Sequence, residues 1–233
     1  MIIPATDRPT GVLLSGGIDS AVLLGQLLER GGLVQPLHIR SDLVWQREEH
    51  ASVRRLVAAL ACSRLAPLVT LHLPLADLYG PCHWSVTGHL APDAASPDEA
   101  VYLPARNALL LVKAAVWCRL NGVPTLALGC LGNSPFVDAT DDFLRRFQEV
   151  INDPPPAAVR IIRPFAGLDK RDVMELGREL PLELTFSCIS PAGGIHCGGC
   201  NKCGERRAAF DSIEAPDLTP YAATVVPGAC SKT

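Results

Sequence analysis

Gly11-Val12-Leu13-Leu14-Ser15-Gly16-Gly17-Ile18-Asp19-Ser20 is an apolar run, a glycine turn, and the start of an apolar stretch with helical spacing that continues to Arg30. That order is strand, turn, helix. Two adjacent glycines let the backbone approach a polyphosphate without Cβ clashes. Ser15 and Ser20 add hydroxyl donors, and the helix that begins here points unpaired N–H groups and its positive dipole end at the same place. Asp19 suits a Mg²⁺ ion held on the phosphates. The loop is not a Walker A motif, because no G-x-x-x-x-G-K-[ST] is present. Leu14, Ser15, Gly16, Gly17, Asp19 and Ser20 are therefore the candidate nucleotide-binding residues.

Outward from this loop, apolar runs alternate with helical patterns. The pattern predicts strands over 11–14, 34–39, 68–73, 125–128 and 160–162, and helices over 20–30, 46–61, 107–121, 141–151 and 170–179. Such alternation is the signature of an α/β fold with a doubly wound, mostly parallel sheet. Ligands in these sheets bind outside the carboxyl ends of the strands, where the glycine loop falls. Gly129, just after the fourth predicted strand, allows a nucleotide to approach the backbone closely. Residues 81–104 form the longest stretch without periodicity, as expected of a functional loop. A second irregular segment, 131–140, follows the fourth strand.

The 233 residues are 48% hydrophobic and 19% charged, enough for one sizeable domain and a small appendage. A net charge of −3 gives no electrostatic reason to expect nucleic acid, and the basic pairs Arg54-Arg55, Arg145-Arg146 and Arg206-Arg207 read as solvated helix faces. The N-terminus lacks the charged-then-apolar layout of a signal peptide. The most apolar stretch, 108–116, is too short to span a bilayer and reads as a buried helix. The expectation is a cytoplasmic protein without a membrane partner.

Nine cysteines are unevenly used. Cys62, Cys82, Cys118 and Cys130 lie apart and are expected in core or half-buried positions. Cys188, Cys197, Cys200 and Cys203 cluster with the spacing C-x8-C-x2-C-x2-C among glycines, which argues for metal rather than disulfides. Four thiolates converging tetrahedrally suit Zn²⁺. An iron–sulfur cluster is the alternative, because C-x2-C-x2-C also occurs in cluster proteins. His196, beside Cys197, reads as a neighbour rather than a ligand. The chain accordingly divides at the sequence level into a nucleotide-binding α/β unit over 1–185 and a four-cysteine knot with its tail over 186–233.

Ser-Gly-Gly-x-Asp-Ser is the pyrophosphate-loop signature of enzymes that split ATP into AMP and pyrophosphate to activate a carbonyl oxygen. With this loop at one end and the cysteine set at the other, the chain resembles the 7-cyano-7-deazaguanine synthase family of queuosine-precursor biosynthesis. The resemblance spans nearly the whole length. It rests on residues 15–20, on Leu103-Pro104-Ala105-Arg106-Asn107, on residues 164–170 and on the cysteine spacing. It implies an adenine-nucleotide α-hydrolase-like fold, a homodimer, and ATP, Mg²⁺ and Zn²⁺ as cofactors. The implied reaction joins ammonia to a deazapurine carboxylate, 7-carboxy-7-deazaguanine, through an adenylate, and the ammonia is expected free unless a partner supplies it. Arg106 and Lys170 then become candidates, with Asp19, for charge stabilisation at the phosphates. Trp45, Gln46, Asn133, Phe136 and Asp138 become candidates for the substrate pocket, since a planar base stacks on aromatic rings and its N–H groups suit an acidic acceptor.

The chain also departs from the family pattern. Phe136-Val137-Asp138-Ala139-Thr140 stands where the family has a Tyr-Pro-Asp-Cys-Arg-like segment, so Thr140 replaces an arginine. Val44-Trp45-Gln46-Arg47-Glu48 keeps only Gln46 and Arg47 of a Tyr-Gly-Gln-Arg-His-like segment, and Ile18 replaces a glutamine. A lost arginine removes a bidentate partner for a carboxylate. Alternatives are therefore a relative that activates another deazapurine carboxylate or a protein carboxyl group, a tRNA sulfur transferase, or a non-catalytic nucleotide-binding module.

Overall fold

A computed structural model describes residues 8–132, 134–153 and 158–222. Strands β1 (Thr10–Leu13), β2 (Val34–Arg40), β3 (Val69–His72), β4 (Thr125–Ala127) and β5 (Arg160–Ile162) form one sheet in the order β3-β2-β1-β4-β5. Every pairing is parallel: Thr10 lies opposite both Val34 and Thr125, Leu37 opposite Val69, and Thr125 opposite Arg160. The order reverses at β1, so the crevice beyond its carboxyl end is the topological switch point.

The helices are α1 (Ile18–Glu29), α2 (Gln46–Ala59), α3 (Ala76–Tyr79), α4 (Trp84–Thr87), α5 (Arg106–Leu120), α6 (Asp141–Ile151), α7 (Lys170–Leu176) and α8 (Asn201–Ser212). One sheet face buries Val12 and Ala127 against α1, α7 and α8 through Leu23, Leu24, Val173 and Phe210. The other face buries Leu37 and Leu126 against α5 and α6 through Leu111, Ala115 and Leu144. Val12 and the next residue, Leu13, serve opposite faces, as strand alternation requires. Helix α5 is buried on one side only: Leu111, Ala114 and Cys118 face inward, while Val112 and Val116 are 43% and 41% exposed. The expectation of a buried helix over 108–116 is corrected accordingly, because the 3.6-residue period turns these two valines outward.

A third cluster sits over the carboxyl ends of the strands. It packs Leu43, Trp45, Val101, Leu103, Phe186 and the sulfurs of Cys188, Cys200 and Cys203, and so draws residues from both sides of position 185. Residues 81–104 are laid down on the cysteine knot through backbone bonds from Ala94 N–H to Gly199 O and from Asn201 N–H to Pro92 O. The Ser190 hydroxyl adds a bond to Gly88 O.

Three sequence expectations fail in identifiable ways. Helix α8 is absent from the five predicted helix ranges, although Arg206-Arg207 reads as a helix face, because Gly204 and Cys203 give it weak intrinsic propensity. Its inward face is Cys203, Arg206 and Phe210, at helical spacing, so tertiary burial carries it. Arg206 is 2% exposed rather than solvated, because its guanidinium donates to Thr219 Oγ1 (2.7 Å), Thr185 Oγ1 (2.7 Å) and Leu182 O (2.9 Å). Cys62 and Cys82 are exposed, since both lie in connecting segments outside the packed elements; Cys118 and Cys130 are buried and half-buried.

Candidate functional site

The glycine loop hangs from the end of β1. Leu14 N–H bonds Leu37 O, and Leu14 O accepts from His38 Nδ1 at 2.8 Å. His38 therefore carries its proton on Nδ1, and its Nε2 accepts from Gln46 Nε2 at 3.1 Å. Burial pushes the His38 imidazole down to about 4 and keeps it neutral. Gln46 also accepts from Ser41 N–H and Oγ, so this candidate substrate residue is a buried brace beneath the loop and lines neither compartment described below.

Gly16 has φ of +86°, and a Cβ there would lie 3.3 Å from Glu49 O. Its own carbonyl accepts from Phe186 N–H at 2.8 Å. Gly17 caps α1 without a side-chain bond, which leaves the first-turn N–H groups of α1 free for an anion. Ser20 Oγ donates to Gly17 O (3.1 Å) and accepts from Ser15 N–H (3.3 Å), so this hydroxyl shapes the loop itself. Gly129 closes the opposite wall. A Cβ there would stand 2.9 Å from the carbonyl carbon and oxygen of Asp19, so only glycine lets the segment after β4 lie against the start of α1.

A cleft of about 510 Å³ opens beyond these strand ends, lined by Leu14, Ser15, Asp19, Ser20, Arg106 and Gly129 among others. Asp19, in the first turn of α1, meets Lys170, the first residue of α7, at 2.7 Å (Oδ1) and 2.9 Å (Oδ2). Lys170 also reaches Glu205 of α8 at 3.4 Å, and Glu205 is held by Lys202 at 2.5 Å. Burial lifts the Asp19 carboxyl above its ordinary value against the pull of Lys170. Burial opposes the charge on Lys170, but Asp19 and Glu205 outweigh it and hold that ammonium above its ordinary value. Sequence reasoning missed Glu205 and reads Lys202 as offsetting the charge of the cysteine set rather than as Glu205's partner; their one signal is their place between and just past two cysteines.

Arg106 opens α5 after Ala105, whose φ is +59°. Its Nε is buried with no hydrogen-bond partner, beside the cleft. Asp138 is 3% exposed, and its two oxygens accept from Asn107 N–H (3.2 Å) and Nδ2 (3.0 Å), which fixes the start of α5. Thr140 caps α6 by accepting from Phe143 N–H. Asn133 lies outside the described residues.

A smaller compartment of about 250 Å³ adjoins the cleft and shares Asp19, Glu49, Arg106 and Lys170 with it. Trp45, Trp84 and Phe186 add aromatic walls, and Phe136 lines both. Trp45 stacks on Trp84 with centroids 5.9 Å apart, and Phe136 stacks on Tyr102 at 5.6 Å. Glu49, also missed from sequence, is 9% exposed, and burial pushes its carboxyl up to about 7 although Arg106 and the Trp45 indole N–H pull it down.

The sulfurs of Cys188, Cys197, Cys200 and Cys203 all lie within 4.8 Å of one another. The Cys197–Cys203 and Cys188–Cys200 separations are 3.9 and 3.8 Å. A tetrahedral ion at about 2.3 Å from each sulfur requires edges of about 3.8 Å, so the set could hold a metal such as zinc. Ser190 and Cys197 N–H groups donate to Cys188 Sγ, as expected around a thiolate. His196 is not part of the set; its Nε2 accepts from Ser187 N–H.

A family model described as queuosine biosynthesis protein QueC matches residues 10–214. A 7-cyano-7-deazaguanine synthase of Desulfotalea psychrophila is 30% identical over 218 residues, covering 90% of this chain and 97% of that one. A 7-cyano-7-deazaguanine synthase of Xanthomonas euvesicatoria is 32% identical over 223 residues, covering 91% and 96%. Among solved structures, the U34-tRNA thiolase NcsA of Methanococcus maripaludis superposes with a TM-score of 0.52 at 14% identity, covering 91% of this chain and 75% of that chain. That last likeness is one of fold.

Proposed function

The chain belongs to the QueC family of queuosine biosynthesis proteins, and from that premise we propose an ATP-dependent carbon–nitrogen ligase that converts 7-carboxy-7-deazaguanine and ammonia to 7-cyano-7-deazaguanine. The observation that carries this reading is the convergence of the uncapped α1 N-terminus, the Asp19–Lys170 pair and Arg106 on one cleft.

A carboxylate resists attack because its leaving group would be oxide. Its oxygen instead attacks the α-phosphorus of ATP, giving an acyl adenylate and pyrophosphate. Ammonia then displaces AMP and leaves the amide. A second ATP adenylates the amide oxygen, and loss of AMP with the remaining N–H protons forms the nitrile. Both oxygens of the carboxylate leave on AMP, so the sum is one carboxylate, one ammonia and two ATP to one nitrile, two AMP and two pyrophosphates.

The chain's own groups suit these steps. The loop and α1 N–H groups hold the departing pyrophosphate. Arg106 offers its unpartnered Nε–H to charge building on the α-phosphate, and Lys170, paired with Asp19, lines the same cleft. Asp19 retains lone pairs beyond its bonds to Lys170 and would hold Mg²⁺, which supplies charge neutralisation on the phosphates. Cys188, Cys197, Cys200 and Cys203 would hold Zn²⁺ in a closed structural shell and fasten the start of α8 to residues 188–197, against which residues 81–104 are hydrogen-bonded.

Thr140 favours one second reading. Its hydroxyl serves the α6 cap where the resemblance sets an arginine, so that position offers an acceptor carboxylate no guanidinium. A related deazapurine carboxylate would then be the acceptor. Exchange of labelled pyrophosphate into ATP tests both readings without ammonia: exchange that depends on 7-carboxy-7-deazaguanine supports the first, exchange only with another deazapurine carboxylate supports the second, and no exchange overturns adenylation.

A further inference from the structure

The two adjoining compartments differ in chemistry. The larger carries Ser20, Gly129 and aliphatic residues such as Leu13, Leu110 and Leu128; the smaller carries Gly17, Trp45, Trp84 and Phe186, and Ser15 and Phe136 line both. Asp19, Arg106 and Lys170 belong to both, so a reacting carboxylate seated between them would meet the nucleotide at that boundary.

Five carboxylates line the two compartments, and their partners and positions separate them; Asp98 lines only the larger and accepts from Asn201 Nδ2 at 3.3 Å. Asp19 is paired with Lys170, and Glu205 with Lys170 and Lys202. Asp138, singled out from sequence as the base-recognising acid, lines only the larger compartment, and Asn107 bonds each of its oxygens. Glu49 accepts from the Trp45 indole and keeps lone-pair capacity, because a carboxylate has about four acceptor sites. Its burial makes an unmatched charge there costly, so a ligand that brings two N–H donors is favoured.

We propose that the smaller compartment binds the ring of the acceptor against Trp45 and Trp84, and that Glu49 is the specificity-determining residue that accepts from adjacent ring N–H and exocyclic amino donors. A guanine-type edge presents those two donors side by side in one plane, the arrangement that a carboxylate matches bidentately. The inference rests on the ligase function proposed above for the identity of the acceptor.

The test compares the intact protein with Glu49→Gln, using 7-carboxy-7-deazaguanine and its analogue without the 2-amino group. The wild type should prefer the amino compound at least tenfold in kcat/KM. Glu49→Gln should raise the KM for the amino compound at least tenfold, leave the KM for ATP within twofold, and lose the preference. Unchanged preference in Glu49→Gln, or a rise in the ATP KM alone, overturns the assignment. Should the wild type turn over neither compound, the ligase reading falls, and quenching of tryptophan emission by 7-deazaguanine decides the subsite. Saturable quenching weakened at least tenfold by Glu49→Gln upholds it; absence of quenching in the wild type overturns it.

Discussion

Lys170 and Asp19, 151 residues apart in sequence, meet at 2.7 and 2.9 Å across the mouth of the cleft. Each lies in the first turn of its helix, so two positive helix ends face one spot. A reciprocal cap between Asp169 and Asp172 fixes the start of α7 and with it the Lys170 stem. A carboxylate and an ammonium thus wait together where polyphosphate charge is to be bound.

Asp19→Ala removes the carboxylate proposed for Mg²⁺ and frees Lys170. AMP release should fall by at least about 100-fold, the scale seen when one charge-stabilising group is lost. The metal of the cysteine knot should stay, because no ligand is touched. Wild-type AMP release in this variant would remove Asp19 from the phosphate site.

Gly129→Ala drives a Cβ to 2.9 Å from the backbone of Asp19, which must shift. Overpacking of this kind costs about 1–3 kcal/mol. Thermal melting should fall, and the KM for ATP should rise because the start of α1 moves. A variant that melts and binds ATP as the wild type does would mean that the two segments separate freely.

Cys200→Ser should lower bound metal from one equivalent per chain, measured by elemental analysis. It should also abolish turnover, because α8 starts at the knot and delivers Glu205 to Lys170. Zinc in the wild type fits the closed tetrathiolate, whereas iron with sulfide would replace it by a cluster. Full metal content with native melting in the variant would contradict the ligand assignment.

Glu49 governs a pH dependence of stability. Its carboxyl rises from an ordinary 4.5 to about 7 on folding, so the fold prefers the protonated form. That contribution is complete below pH 4.5 and is lost as pH climbs through 7, on the order of 3 kcal/mol in all. Glu49→Gln lacks the titration. Its melting temperature, set against the wild type, should gain about 5 °C or more between pH 5 and pH 8 without ligand. A constant difference across that range would contradict a desolvated Glu49.

Much of the architecture was legible in the sequence. The strand–glycine–helix order at 11–20 and the apolar alternation located all five strands to within a residue or so, because each strand is a short apolar run, buried in β1, β2 and β4 and half-buried in β3 and β5. The cysteine spacing marked the four sulfurs that could hold a metal in the same way, since they are close in sequence. What escaped depends on distance along the chain. Glu49 looks like one of several acids on a polar helix until Trp45 and Arg106 enclose it. Asp138 looks free until Asn107, 31 residues earlier, takes both its oxygens. Gln46 looks like a ligand-binding amide until His38 and Ser41 claim it. Helix α8 is weak as a local sequence and forms because Cys203, Arg206 and Phe210 are buried by other parts of the fold.

The most direct measurement is one incubation with ATP, Mg²⁺, ammonia and 7-carboxy-7-deazaguanine, followed by mass spectrometry for nitrile, AMP and pyrophosphate. A ligase of the proposed kind gives 7-cyano-7-deazaguanine with two AMP and two pyrophosphates for each nitrile. Folded, metal-loaded protein that releases no nitrile and no AMP contradicts the proposed reaction.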